Sequence, residues 1–275
     1  MHTGRRSVAV ATLAGALALS VLNAPTAGAA DTGITVSDIV INKGKPIVVG
    51  TSKVVEPPIS FNIALPTGYS TADPSRYDAY PFLYRGTITT AADTGENFIQ
   101  PGGYTCYEID SKHARCEGEL YIDPDPSREH VDSNSDATTW KVGVSLRLWK
   151  ADGGLKTGEL ETRSKTAQLK RAARATANAT PEPVAKGRTI TVTGKLTRAN
   201  WSTKTYGAYG DRTVSLQFRA KGTETFQTVK KVTSSSTGGL KATVTASTDG
   251  SFRWVYYGNS TTGAATSAAD YVDVL

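Results

Sequence analysis

Apolar and polar residues alternate with a period of two along most of the chain. The run "TWKVGVSLRLWK" sends Trp140, Val142, Val144, Leu146 and Leu148 one way and Lys141, Ser145 and Arg147 the other. "ISFNIALP" aligns Ile59, Phe61, Ile63 and Leu65. "RTVSLQFRAKG" sets Val214, Leu216 and Phe218 against Ser215, Gln217 and Arg219, and "GSFRWVYYG" aligns Phe252, Trp254 and Tyr256. Successive side chains of a strand point to opposite faces, so these runs predict strands with one buried face. In the C-terminal half they recur every 8 to 13 residues between Gly, Ser and Asp turns. With "ATANATP" they give seven candidate strands, the pattern of an antiparallel sandwich. "GITVSDIVIN", "KPIVVG" and "YPFLYRGTI" add strands to the first half, with "TGYSTADPSRYDAYP" and "TTAADTGENFIQPGG" as long loops. No amphipathic helix is expected there. The fold class is therefore all-β: two immunoglobulin-like antiparallel β-sandwich domains in tandem.

Residues 1–30 read as a cleaved signal peptide. Arg5 and Arg6 precede the apolar "SVAVATLAGALALSVL", and Ala27-Gly28-Ala29 supplies small residues for cleavage. The paired arginines also fit a twin-arginine export route, and the plainer reading is an ordinary Sec signal with two basic residues. The apolar run is shorter than the roughly 20 residues of a membrane helix, so no membrane insertion is expected. The division along the rest is 31–165 for an N-terminal sandwich and 183–275 for a C-terminal one. Between them, 166–182 reads as a basic, proline-bearing linker. "KTAQLKRAARATAN" is open to either a short helix or an extended connector, and the two prolines of "TPEPVAKG" stiffen the approach to the second sandwich.

The formal charge of +6 over 275 residues conceals an acidic first half and a basic second half. Opposite signs suit halves that attract each other or face different partners. The basic stretch Arg163–Arg174 carries no aromatic interleaving, so no nucleic acid is expected as a partner.

The densest chemistry lies between Tyr104 and Asp136. Cys106 and Cys116 are the only cysteines. If they face each other in a hairpin, Ile109 faces His113 and Asp110-Ser111-Lys112 is the turn. Opposed residues at a non-hydrogen-bonded site lie within disulfide reach, and an exported chain permits the bond. Beyond the signal segment only His113 and His130 remain for a triad or a zinc site, and no serine has a nucleophile-elbow setting. "GELYID" formally offers a carboxylate pair for glycoside hydrolysis, but acidic residues are too common for that to count. "DPDPSREHVDSNSD" offers oxygens to calcium from Asp123, Asp125, Asp132, Asn134 and Asp136, with Glu129 nearby. The EF-hand pattern fails, since Ala137 stands where glycine is needed and Gly143 where glutamate is. The plainer reading is a solvated loop of Asp and Pro turns. Tyr206, Tyr209, Tyr256 and Tyr257 suggest either a sugar-stacking platform or padding of the sandwich edge. The sequons at Asn178, Asn200 and Asn259 matter only in a eukaryotic secretory pathway.

"PEPVAKGRTITVTGKLTRANW", "VSLQFRAKGTETFQTVKKV" and "TDGSFRWVYYGNSTT" resemble segments of secreted actinobacterial proteins. The likeness extends upstream through "TWKVGV" and the two-cysteine hairpin. It implies tandem immunoglobulin-like domains, in some members with a loose calcium-binding label, and carries no ligand residues over. The function expected is a secreted, non-catalytic binding or structural protein, outside the cell or at the cell wall. It needs no cofactor, and its partner is a cell-wall polymer or another extracellular protein. One alternative is a calcium-binding extracellular protein using the five loop residues. The other is a hydrolase of extracellular polymers, which would need a deep cleft with convergent carboxylates.

Overall fold

The computed structural model describes residues 31–88, 98–125 and 131–275. The expected signal peptide, Glu129, His130 and positions 89–97 of the second long loop lie outside the described residues.

The first half forms β1 (Thr35–Ile41), β2 (Ile47–Val49), β3 (Pro58–Ala64), β4 (Tyr77–Tyr84), β5 (Phe98–Ile99), β6 (Pro101–Glu108), β7 (His113–Leu120), β8 (Thr139–Trp149) and β9 (Leu155–Arg171). One sheet runs β1-β3-β7-β6 and the other β2-β9-β8-β4-β5. All pairs are antiparallel except β2 with β9. The chain leaves the first sheet after β1 and joins the second at β2. It turns there through three residues of positive φ: Asn42 at 48°, Lys43 at 54° and Gly44 at 74°. Asn42 tolerates that region because its short side chain bonds locally. Its amide donates to the carbonyls of Lys45 at 3.0 Å and Pro46 at 2.8 Å.

The second half forms β10 (Ala173–Thr180), β11 (Thr189–Asn200), β12 (Thr205–Ala208), β13 (Thr213–Ala220), β14 (Gln227–Thr233), β15 (Gly239–Thr245), β16 (Gly250–Tyr256), β17 (Ala265–Thr266) and β18 (Asp270–Val272). In one sheet β11 lies between β10 and β15, with β12 folded back on its end. In the other, β14-β13-β16 is extended by β17 and β18. Both halves are immunoglobulin-like sandwiches. They differ in their middle strands: β6 pairs with β7, the strand that follows it, in the first, whereas β14 pairs with β13, the strand that precedes it, in the second.

The alternation read from sequence is the alternation that is buried. Trp140, Val142, Val144, Leu146, Phe61 and Leu120 are buried in the first core, and Val192, Leu196, Val214, Leu216 and Trp254 in the second. Each such side chain contributes about 1.5–3 kcal/mol when removed from water. Gly194 lets the indole of Trp254 approach the sheet, since a Cβ there would stand 2.8 Å from its Cδ1. The indole N–H then donates to the carbonyl of Thr193 at 3.1 Å.

Two expectations are corrected. Residues 166–182 are not a linker or a helix: β9 runs to Arg171 and β10 begins at Ala173, with Ala172 alone between them. The cause is period-two burial of Ala167, Leu169 and Arg171 on one face of β9, which basic neighbours obscure in the sequence. Phe98 and Ile99, assigned to a loop, pair with Tyr84 and Leu83, because both side chains are buried.

The two sandwiches meet closely. Just past β11, Trp201 is fully buried within the core of the first half, beside Ala199. Its indole N–H reaches the carbonyls of Val49 at 3.2 Å and Gly50 at 2.9 Å. On the other side of the junction, the loop after β16 docks on β2 and β9. The Thr261 carbonyl accepts from the Arg171 amide at 3.0 Å, and the Gln168 side chain donates to the carbonyl of Ser260 at 2.8 Å. A Cβ on Gly263 would stand 2.8 Å from Val48 Cγ1, so glycine permits this approach.

Candidate functional site

The cysteine hairpin forms in the expected register. Cys106 pairs with Cys116 across β6 and β7, with Cα atoms 4.0 Å apart, and the two are disulfide-bonded. The amide of Ile109 donates to the carbonyl of His113 at 2.9 Å, leaving Asp110, Ser111 and Lys112 as the turn. Asp110 Oδ1 accepts from the amides of Lys112 at 2.7 Å and His113 at 2.9 Å. These bonds, that of the Lys112 amide foremost, hold its carboxyl below the usual range. The His113 ring lies 2.9 Å from the same carboxylate and both side chains are exposed. The Lys112 ammonium is bound by the carbonyls of Pro66 and Tyr69. Each of these polar groups has a structural task, and no nucleophile stands beside His113 among its hydrogen-bond partners.

The acidic loop is less like a ligand set than its sequence implies. Ser133 caps a single 3-10 turn, Asn134–Asp136. Asp136 is 3% exposed. One of its oxygens accepts from the Ser133 amide at 2.9 Å and the other pairs with Arg85 at 2.9 Å. Burial raises its pKa above 3.8, while the Ser133 amide and Arg85 pull it back and Asp132 adds to the rise. Asn134 points to the second sandwich: its side-chain carbonyl accepts from the Trp201 amide at 3.0 Å and its side-chain amide donates to Asn200 Oδ1 at 2.9 Å. Asp123 Oδ1 accepts from the Asp125 amide at 2.9 Å, an Asx turn. Among the described residues no group of three or more His, Cys, Asp or Glu side chains is placed to hold a metal ion. No three of Asp123, Asp125, Asp132 and Asp136 come together as such a group.

A lysine from the other half faces this loop instead. Lys204 donates to the carbonyl of Val131 at 3.1 Å. Burial lowers its pKa, and Asp132, Asp125, Asp136 and Asp123 all oppose that shift. Lys204 thus sits in the field of this acidic loop from across the junction. Neither Lys204 nor Trp201 stands out in the sequence, since a lysine in a turn and a tryptophan after a strand carry no local signal of a partner 70 or so residues away.

Of the two readings of the tyrosines, packing into the sandwich is the one most of them follow. Tyr209 and Tyr256 are buried, Tyr206 is half-buried, and Tyr257 alone of the four is exposed. Tyr209 and Tyr256 pack edge to face with centroids 5.6 Å apart, the arrangement ring quadrupoles favour in a core. Tyr206 is covered by the guanidinium of Arg174 at 3.6 Å.

No protein-family model matches the chain, and no curated protein matches it in sequence. Among solved structures it is similar to a marsupial T cell receptor, at 7% identity and a TM-score of 0.38, over 88% of this chain and 73% of that one. It is also similar to fibronectin(III)-like modules of Clostridium thermocellum CbhA, at 10% identity and 0.29, over 88% and 93%. The D00-D0 domain of Intimin aligns at 13% identity and 0.27, over 86% and 99%. Likenesses this loose carry no functional argument, and the fold assignment rests on the strand order of the two sandwiches. No helix of the described residues is long and apolar enough to cross a membrane.

Proposed function

We propose that this chain is a secreted, non-catalytic binding or structural protein that works outside the cell or at the cell wall. One observation carries the reading. The side chains with candidate chemistry, Asp136, Asn134, Lys204, His113 and the two cysteines, all serve contacts within the fold: Asp136 caps its own turn and pairs with Arg85, and the others fix the hairpin or join the sandwiches. Catalysis needs groups held for substrate rather than for the fold. The cross-strand disulfide supports an oxidising compartment. The partner class is a cell-wall polymer or another extracellular protein, met by sheet faces and loops. An open groove over the first sheet, lined by Val40, Lys43, Ile59, Ser60, Arg115 and Glu117, offers such a face.

The test is retention of isolated wall polymer and of secreted proteins on the immobilised chain, with product release from the polymer followed in parallel. Saturable retention without product is the expected result. Turnover of polymer abolished by a single carboxylate substitution would overturn the reading in favour of a hydrolase.

A further inference from the structure

Arg171 ends β9 at the junction and is 8% exposed. Its backbone is tied to the second sandwich through Thr261 and Gly263. Its side chain is not tied to anything comparable. Nε is buried without a hydrogen-bond partner. Among the described residues no carboxylate pairs with the guanidinium. Burial and the like charge of Arg198 weigh against its charge, and Tyr209 favours it.

Arg198 is no better neutralised. Its guanidinium stacks 4.1 Å from the Tyr209 ring centroid, and its Nη1 reaches Thr262 Oγ1 at 3.3 Å. Arg212 lies 5.0 Å from the same ring and donates its Nε to the carbonyl of Gly210 at 3.0 Å. The Tyr209 hydroxyl accepts from Asn259 at 3.0 Å and Thr262 at 3.2 Å, with Tyr256 Oη 3.4 Å away. Three guanidinium groups therefore meet around the Tyr209 hydroxyl, and among the described residues none of them is ion-paired to a carboxylate.

A guanidinium carries five N–H donors and no acceptor. Burying one beside a like charge is strongly unfavourable unless an anion answers it. The guanidinium fork is shaped for paired oxygens of carboxylate, sulfate or phosphate. We propose that the junction is an oxyanion site, in which Arg171 and Arg198, helped by the hydroxyl of Tyr209, take a single anionic group. Burial, and Arg198 after it, push the Arg171 pKa down to about 10, so the side chain is still charged at neutral pH. At Tyr209 burial pushes the phenol up, but the bonds from Thr262, Tyr256 and Asn259, with Arg198, bring it below its ordinary value. The surroundings thus favour negative charge at that point. The site lies on the chain's own fold and does not depend on the class of partner that the sheet faces meet.

The test is thermal melting at constant ionic strength, exchanging sodium chloride for inorganic phosphate, sulfate or acetate. Glycerol phosphate forms a further arm, separating a free ion from a phosphate that carries a substituent. A ligand that binds only the folded state must raise the melting temperature, by about 3–5 °C at tenfold excess over its dissociation constant. Arg171→Met is expected to abolish the rise. Arg198→Gln, at a more exposed position, is the variant to rely on if the first does not fold, and is expected to remove most of it. A rise no larger than the chloride control, or one that Arg198→Gln retains in full, overturns the proposal. So does a tyrosine absorbance titration in which one phenol ionises near neutral pH and is lost in Tyr209→Phe. That outcome would mean the chain supplies its own counter-charge.

Discussion

Asp136 sits where burial and pairing oppose each other, and its titration records which prevails. Its folded pKa is raised above 3.8, with burial the largest cause. The folded state therefore holds its proton more tightly than the unfolded chain does. The associated stability is fully present below the unfolded value and is lost as pH rises through the folded one. Asp136→Asn does not titrate, so wild type should lose stability relative to that variant as pH rises from 3.8 through the folded value; urea unfolding across this range measures it. Asn134→Ala leaves the Trp201 N–H without its partner and removes one of the bonds to Asn200 Oδ1, and should destabilise by about 1–3 kcal/mol. Calcium chloride at millimolar concentration should leave the melting temperature where magnesium chloride leaves it. A calcium-specific rise would restore the ligand reading. The sequence did contain a signal for the structural role of this loop. Ser133 and Asp136 have the serine-x-x-acid spacing of a capping box, and the same residues also fit an alternation of metal ligands. The partners of Asn134 lie 66 and 67 residues away, and no local pattern announces them.

Strands and registers were more legible, because period-two burial leaves a trace in the sequence itself. The β6–β7 hairpin was readable down to its paired residues, since two cysteines that must meet leave one sensible turn. Reducing the bond, or replacing both cysteines by serine, should cost about 2.5–3 kcal/mol through the released chain entropy, read as a lower urea midpoint under reductant. The end of β9 was hidden. Lys165, Lys170 and Arg171 look like a solvated run, yet the Lys165 ammonium is bound by the carbonyl of Ile39 and Arg171 is buried. Charge masks an element when long basic side chains lie along its apolar face. The edge strand β14 shows the same residues in their ordinary use: Lys230 and Lys231 stand exposed on it, where charge discourages pairing with another chain.

The arrangement of the whole molecule was the least legible, because it depends on contacts between residues far apart in sequence. Opposite charge in the two halves hinted at attraction, and Lys204 against the acidic loop gives that attraction a location. Trp201 adds a fully buried side chain to it. Truncating a buried tryptophan costs about 3–5 kcal/mol, and here the loss falls on the joint rather than on one core. The two sandwiches are expected to unfold as one unit through this joint, and differential scanning calorimetry tests that most directly. Wild type should melt in one transition whose calorimetric and van't Hoff enthalpies agree, and Trp201→Ala should split it in two. Two separate transitions in the wild-type chain, unchanged by Trp201→Ala, would contradict it.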